Sequence, residues 1–327
     1  MQSALRRYRS EGTSHLALRT PPHHALRRTS HHNWRIPCPP LYTVPMTESR
    51  PAFTLLHLSD IHAGQPAFQP HVAECIVQDA ARLAPTLTVI SGDMVMREWT
   101  RHFEEARAFI QRLPQPQLVV PGNHDLPVFH FWETLRNPLR RFHTYISDAD
   151  PFFYVPGLAV AGMNSTVPFL SAGYFRQSEM RRMAARFAGL PADTCRVVVV
   201  HHHFVPLPRR VYSSSSIVRG RRRALDAFED AGVELVLSGH MHYSHIGNSL
   251  DFRPRARRGT ILVQAGTATS RRGRLSERHK NTYNVIHVDA EHITITHYMF
   301  FAELDRFEPL SRHIFPRRLQ ITSYLRT

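Results

Sequence analysis

Five short apolar runs punctuate the chain: Phe53 to Leu58, Leu87 to Ile90, Leu118 to Val120, Val197 to Val200 and Val233 to Leu237. Each is leucine-rich or β-branched and too short for a helix, the form taken by strands buried on both faces of a parallel sheet. Between the first three runs the apolar period lengthens. Val72, Ile76, Val77, Ala80 and Leu83 fall at helical spacing within His71 to Leu83, and Ala106, Phe109, Ile110 and Leu113 do so within Phe103 to Leu113. Two β-α-β units laid end to end are predicted, each close to the roughly 30 residues such a unit needs.

Beyond residue 125 the pattern changes. Val128, Phe131, Trp132, Leu135, Leu139 and Phe142 form one stripe, and Asn137-Pro138 predicts a break between two short helices within Val128 to Ile146. The stripe reads as a face turned to the core, with Arg136, Arg140 and Arg141 off it. Phe152 to Tyr154 and Leu158 to Ala161, around Pro156-Gly157, predict a hairpin. A helix is expected over Gln177 to Phe187, a long loop rich in Arg and Ser over Pro206 to Arg223, and a further helix over Ala224 to Ala231. Thr260 to Val263, Tyr283 to Val288 and Ile293 to Tyr298 alternate as antiparallel strands do, predicting a second sheet that closes against the first. Phe307 to Thr327 carries no usable pattern.

Composition narrows the class. At 327 residues and 42% apolar, the chain suits one large globular domain. No apolar stretch approaches the ~18 to 20 residues needed to span a bilayer. Cys38, Cys75 and Cys195 are scattered, which fits neither a disulfide framework nor a cysteine zinc site and points to a reducing compartment, the cytoplasm. The net charge of +15 invites a nucleic-acid reading, but Lys280 is the only lysine, a skew better explained by GC-rich coding than by phosphate contacts. Residues 1 to 45 hold seven arginines against Glu11 alone, and Pro37, Pro39, Pro40 and Pro45 interrupt any element there. That stretch is expected to be a disordered basic extension ahead of one domain over 46 to 327, with Met46 a candidate start.

The chemistry sits at the strand ends. The five runs are followed by Asp60-Ile61-His62, Gly92-Asp93, Gly122-Asn123-His124-Asp125, His201-His202-His203 and Gly239-His240-Met241-His242. In open α/β sheets sites form at the carboxyl ends of strands, so these residues are expected to collect at one edge of one sheet. Two carboxylates, an amide and several imidazoles suit a pair of divalent transition metals such as Mn, Fe, Co or Zn. Singly each motif is weak: an Asp at a strand end is usually a helix N-cap, and Gly-Asn is a common turn. Five in order are a strong signal.

That order, from about Leu55 to at least Ile286, resembles the calcineurin-like metallophosphoesterase superfamily, as do Ala265-Gly266-Thr267-Ala268-Thr269 and Asn284-Val285-Ile286. The resemblance implies an α/β fold, a four-layer αββα sandwich of two mixed sheets flanked by helices. It implies that Asp60, His62 and His242 hold one metal, Asn123, His202 and His240 the other, and that Asp93 bridges both, with a bridging hydroxide as nucleophile. His124 would serve the leaving oxygen as a catalytic acid, with Asp125 orienting its imidazole. Within His201-His202-His203 the family pattern favours His202, the ligand lying two before a proline; Phe204 stands at that point here, so His201 stays open.

Departures narrow the group. Met96, Glu98 and Asp125 stand where protein phosphatases of the superfamily carry Asp, Gly and Glu, and Met96 stands where purple acid phosphatases need a tyrosine. The remaining match is the bacterial phosphodiesterase group that includes class III cyclic-nucleotide phosphodiesterases, which implies a small or nucleotide-derived diester as substrate. A DNA nuclease similar to the double-strand-break repair enzymes and a non-catalytic scaffold are the competing readings. The basic charge favours the nuclease; the scaffold is disfavoured because no ligand is missing. A protein beginning at Met46 is expected to melt at the temperature of the full chain and to keep its activity. A substantial drop in either would show that the leader packs on the domain or serves its site.

Overall fold

The computed structural model describes residues 53–64, 66–127, 130–205, 217–254, 256 and 259–317. The expected basic extension over 1–45, Val128, the centre of the long loop at 206–216 and the tail from 318 lie outside the described residues.

The first half alternates as the apolar periods predict. Strand β1 (Phe53–Leu58) leads to helix α1 (Pro70–Leu83), β2 (Leu87–Ile90), α2 (Thr100–Ile110) and β3 (Gln117–Val119). Pro70 opens α1, where its missing N–H costs nothing, and Ala84 closes it in a left-handed turn. Two short helices follow, α3 (Phe131–Arg136) and α4 (Arg140–Tyr145), then the hairpin β4 (Phe152–Val155) and β5 (Leu158–Gly162). The rest runs α5 (Gln177–Phe187), β6 (Cys195–Val199), α6 (Arg221–Asp230), β7 (Leu235–Ser238), β8 (His245–Asn248), β9 (Ile261–Gln264), β10 (Thr282–Val288), β11 (His292–Phe301) and β12 (Arg306–Pro316).

Two six-stranded mixed sheets result, ordered β12-β11-β10-β1-β2-β3 and β4-β5-β6-β7-β9-β8. Strands β1, β2 and β3 are parallel, as are β5, β6, β7 and β9. Period-2 alternation then sorts side chains between layers. In β1, Leu55 faces the core between the sheets with Val197, Leu235 and Ile286, while Leu56 and Leu58 face the helices. Ile76 and Ala80 of α1, Phe103 and Ile110 of α2 and Phe142 of α4 cover the first sheet. Met183 and Phe187 of α5 and Leu225 and Phe228 of α6 cover the second. The architecture is a four-layer αββα sandwich.

Three expectations need correction. The strands expected over Thr260 to Val263, Tyr283 to Val288 and Ile293 to Tyr298 do not share a sheet: β10 and β11 extend the first, whereas β9 lies parallel to β7 in the second. Strand β12 was without pattern because it is an edge strand with most side chains exposed and Phe307 buried near its start. The stripe on α3 is not core. Phe131, Trp132 and Leu135 are 56%, 68% and 55% exposed, and among the described residues of the stripe only Phe142 is fully buried.

That contrast is measurable. Phe142→Ala should cost about 3 to 5 kcal/mol, as truncation of a fully buried aromatic does. Leu135→Ala should stay within about 0.5 kcal/mol, like other exposed positions. Urea denaturation of the two variants checks both, and comparable losses would mean that Leu135 is packed.

Candidate metal centre

The strand ends of both sheets meet across one gap. Asp60 and His62 follow β1, Asp93 follows β2 and Asn123 follows β3 in the first sheet, whereas His201 follows β6 and His240 and His242 follow β7 in the second. The expectation of a single sheet edge is therefore corrected: the donors face one another from two sheets.

Five of these residues, Asp60, His62, Asp93, His240 and His242, have φ between 49 and 77°, the left-handed region that side chains other than glycine rarely adopt. The cost is on the order of 1 to 2 kcal/mol each. Backbone bonds hold the turns in place: Asp60 N to Gly92 O at 3.0 Å, His62 N to Asp93 O at 3.0 Å and Gly239 N to His201 O at 2.9 Å. The hydroxyls of Thr267 and Thr269 donate to the carbonyls of Asp60 and Ile61, each at 2.7 Å, which gives the Ala265 to Thr269 segment its structural use. Glycine is required at two of the motifs by close approach. A side chain at Gly122 would collide with the Asp93 carboxylate and amide, and one at Gly239 would strike Ser59 and Asp60.

Asp60, His62, Asp93 and His242 form a first cluster, buried, with one donor atom from each lying within 4.8 Å of the others. The Nδ1–H of His242 donates to the Arg272 carbonyl at 2.9 Å, which turns the lone pair of Nε2 inward. His62 Nε2 lies 2.9 Å from that atom. Asp60 Oδ2 accepts from the Ser59 hydroxyl at 2.7 Å and from His240 N at 3.0 Å. Its other oxygen, Oδ1, faces His242 Nε2 at 3.1 Å yet is buried with no hydrogen-bond partner. A buried carboxylate oxygen without a proton donor, beside the inward lone pair of His242, is the electrostatic signature of a cation site.

A second cluster stands on the other side of Asp93. Asn123 Oδ1 lies 3.0 Å from His240 Nδ1 and 3.2 Å from His201 Nε2, which are themselves 3.2 Å apart. His201 Nδ1–H donates to Ser91 O at 2.8 Å, aiming Nε2 at the cluster. Asp93 serves both sides, its Oδ1 3.4 Å from His201 Nε2 and its Oδ2 3.7 Å from His62 Nε2. Burial alone would raise the Asp93 carboxyl, but His201, His124 and His62 hold it well below the usual range. Burial would likewise lower His201, and the carboxylates of Asp93 and Asp60 push it up to about 9. A cation at this position would displace that proton.

Two sequence expectations are corrected here. His202 is not in the cluster. Its Nδ1 is 2.8 Å from the Ser165 hydroxyl and its Nε2 is 3.1 Å from the Ser171 carbonyl. The carbonyl takes the Nε2 proton and the hydroxyl takes the Nδ1 lone pair, so neither nitrogen is left for a metal. The ring instead packs beside His240 and His201, at 4.6 and 5.0 Å. Asp125 does not orient His124. Its carboxylate accepts from Gly122 N at 2.8 Å and Val95 N at 3.1 Å, closing the Gly-Asn-His-Asp turn. His124 is oriented by the Met96 carbonyl, 3.1 Å from Nδ1, and its Nε2 meets Arg272 Nη1 at 3.2 Å. Arg272 was missed, and the only sequence signal was its place in Arg271-Arg272-Gly273-Arg274.

Comparison with known proteins identifies the family. Residues 53–244 match the family model described as calcineurin-like phosphoesterase. A cAMP/cGMP dual specificity phosphodiesterase of Mycobacterium tuberculosis is 24% identical over 213 residues, 60% of this chain and 63% of that protein. A probable cyclic nucleotide phosphodiesterase of Rhodococcus erythropolis is 24% identical over 209 residues, 60% of this chain and 66% of that protein. The matches thus span slightly less than two thirds of these curated relatives. In fold, the chain is similar to a purple acid phosphatase from yellow lupin, with a TM-score of 0.61 at 12% identity over 81% of this chain and 54% of that one. It is also similar to the inner membrane complex anchor GAP50 of Plasmodium, with a TM-score of 0.53 at 14% identity over 81% of this chain and 89% of that one. The chain belongs to the calcineurin-like phosphoesterase family.

Proposed function

We propose that the protein is a metal-dependent phosphodiesterase with a dinuclear centre, acting on a small or nucleotide-derived phosphodiester. The observation that carries the reading is the placement of Asp93 between two donor clusters, Asp60, His62 and His242 on one side and Asn123, His201 and His240 on the other. Those residues would hold two divalent ions, with His201 rather than His202 in the second set. Mn, Fe, Co and Zn all suit such a mixture of oxygen and nitrogen donors. Bound there, the ions would activate water for attack and neutralise the phosphoryl oxygens.

The chain's own residues complete the site. His124, fixed through Nδ1 on the Met96 carbonyl, presents Nε2 to the leaving oxygen and acts as general acid. Asp125 holds the turn that carries it. The names of the curated relatives support a cyclic nucleotide or related diester. So does an exposed aromatic pair, Phe131 and Phe169. Phe169 stands two residues before Ser171, whose carbonyl binds His202, and packs 5.7 Å from Phe131. Such faces suit stacking by a nucleobase. Among the described residues no helix is long and apolar enough to cross a membrane. Cys75 and Cys195 stand outside any disulfide, which favours the cytoplasm.

A panel of mono- and diesters presented to the metal-reconstituted protein tests the reading, with Asp93→Ala as control. The expected outcome is turnover of diesters over monoesters, and loss of both bound metal and turnover in the variant, because Asp93 is the ligand shared by both ions. An Asp93→Ala protein that keeps two metals and its activity would end this assignment, and preferential cleavage of single-stranded DNA would favour a nuclease instead.

His124→Ala separates binding from chemistry. The variant should keep its metals while hydrolysis slows by ~10²- to 10⁴-fold for poor leaving groups such as alkoxides, and little for p-nitrophenolate, which departs without a proton. An equal loss across leaving groups would assign His124 to positioning.

A further inference from the structure

Arg272 sends a guanidinium into the metal centre with no anion to meet it. The side chain is half-buried, and Nη1 lies 3.2 Å from His124 Nε2, 3.5 Å from His62 Nδ1 and 3.5 Å from the Met96 sulfur. These partners are two imidazoles and a thioether. Among the described residues no carboxylate stands within ion-pair distance of it, whereas Arg141 and Arg317, likewise withdrawn from solvent, pair with Glu133 and Glu234. Guanidinium is costly to desolvate without a counter-charge. Its position is also fixed at the root, since the Arg272 carbonyl accepts the Nδ1–H of His242. One residue therefore both orients a proposed metal ligand and carries a cation to the same place.

The carboxylates of Asp60 and Asp93 offset part of this charge at longer range. Two divalent ions bound between them would more than cancel that effect, leaving a strongly positive pocket that only an anion completes.

Resting on the phosphodiesterase reading above, we propose that Arg272 is the substrate-phosphate ligand of this centre, its guanidinium binding the non-bridging oxygens of the phosphoryl group. In the free protein Nη1 donates to His124 Nε2. An anionic phosphoryl oxygen is the stronger acceptor, and the planar fork suits two such oxygens. Substrate thus draws the guanidinium off the imidazole and onto the phosphoryl oxygens.

The test is Arg272→Ala in the metal-reconstituted protein, read by elemental analysis, by calorimetric titration of inorganic phosphate and by diester kinetics. Metal content should match the wild type, phosphate affinity should fall about 10- to 100-fold, as loss of a charge-assisted hydrogen bond implies, and kcat/KM should fall at least as far. Added guanidinium ion should restore part of the lost rate, and Arg272→Lys should recover less than full phosphate affinity. Unchanged phosphate affinity with metals intact would overturn the proposal, as would loss of metals, which would reduce Arg272 to a support for His242. So would a metal-loaded wild type that binds no phosphate. A wild type that binds phosphate through Arg272 but hydrolyses no ester would sink the phosphodiesterase reading and leave Arg272 as an anion ligand.

Discussion

One carboxylate, Asp93, ties the two halves of the molecule together. It leaves the end of β2 in the first sheet, and His201 meets it from the end of β6 in the second. For both sheets to present their carboxyl ends to the same gap, the core between them must fix their spacing, and residues such as Leu55, Val89, Val197 and Leu235 fill that layer. The helices on the outer faces serve the same end indirectly, by burying the far side of each strand. The family's four-layer architecture is thus the arrangement that brings strand ends from two sheets face to face.

The site works against stability. Five left-handed residues that are not glycine and a buried carboxylate oxygen without a hydrogen-bond donor are unfavourable in the chain by itself. Hydrogen bonds from Ser59, Thr267 and Thr269 and the carbonyls of Ser91 and Arg272 hold the turns and rings against that strain. A ligand that binds only the folded form offsets the remainder by mass action. Strain of this kind is tolerable because the strands that lead into the site are parallel, buried and closely packed.

Much of this was legible in the sequence, for physical reasons that also mark its limits. Buried parallel strands must be short and continuously apolar, so β1, β2, β6 and β7 stand out, and the residues that follow each are fixed near a strand end. Which of two adjacent histidines turns inward depends on rotamers and on partners far away in the chain, Ser91 for His201, Ser165 and Ser171 for His202, and spacing alone carries none of that. Asp125 illustrates the same gap: its sequence position beside His124 suggested contact, yet its carboxylate turns back to cap backbone amides. Arg272 lies some 150 residues beyond His124 and meets it only because the segment after β9 returns to β1. The exposed faces of Phe131 and Trp132 were misread as core because an apolar stripe on a helix predicts burial without saying whether anything covers it.

Asp93 is proposed to stand between two cation sites whose second set contains His201. Anomalous X-ray diffraction from crystals soaked in Mn²⁺ measures this directly. Two peaks are predicted, ~3.5 to 4 Å apart as in other two-metal centres, one on each side of the Asp93 carboxylate, with the second in contact with Asn123, His201 and His240. A single peak, or a second ion bound by His202, would contradict it.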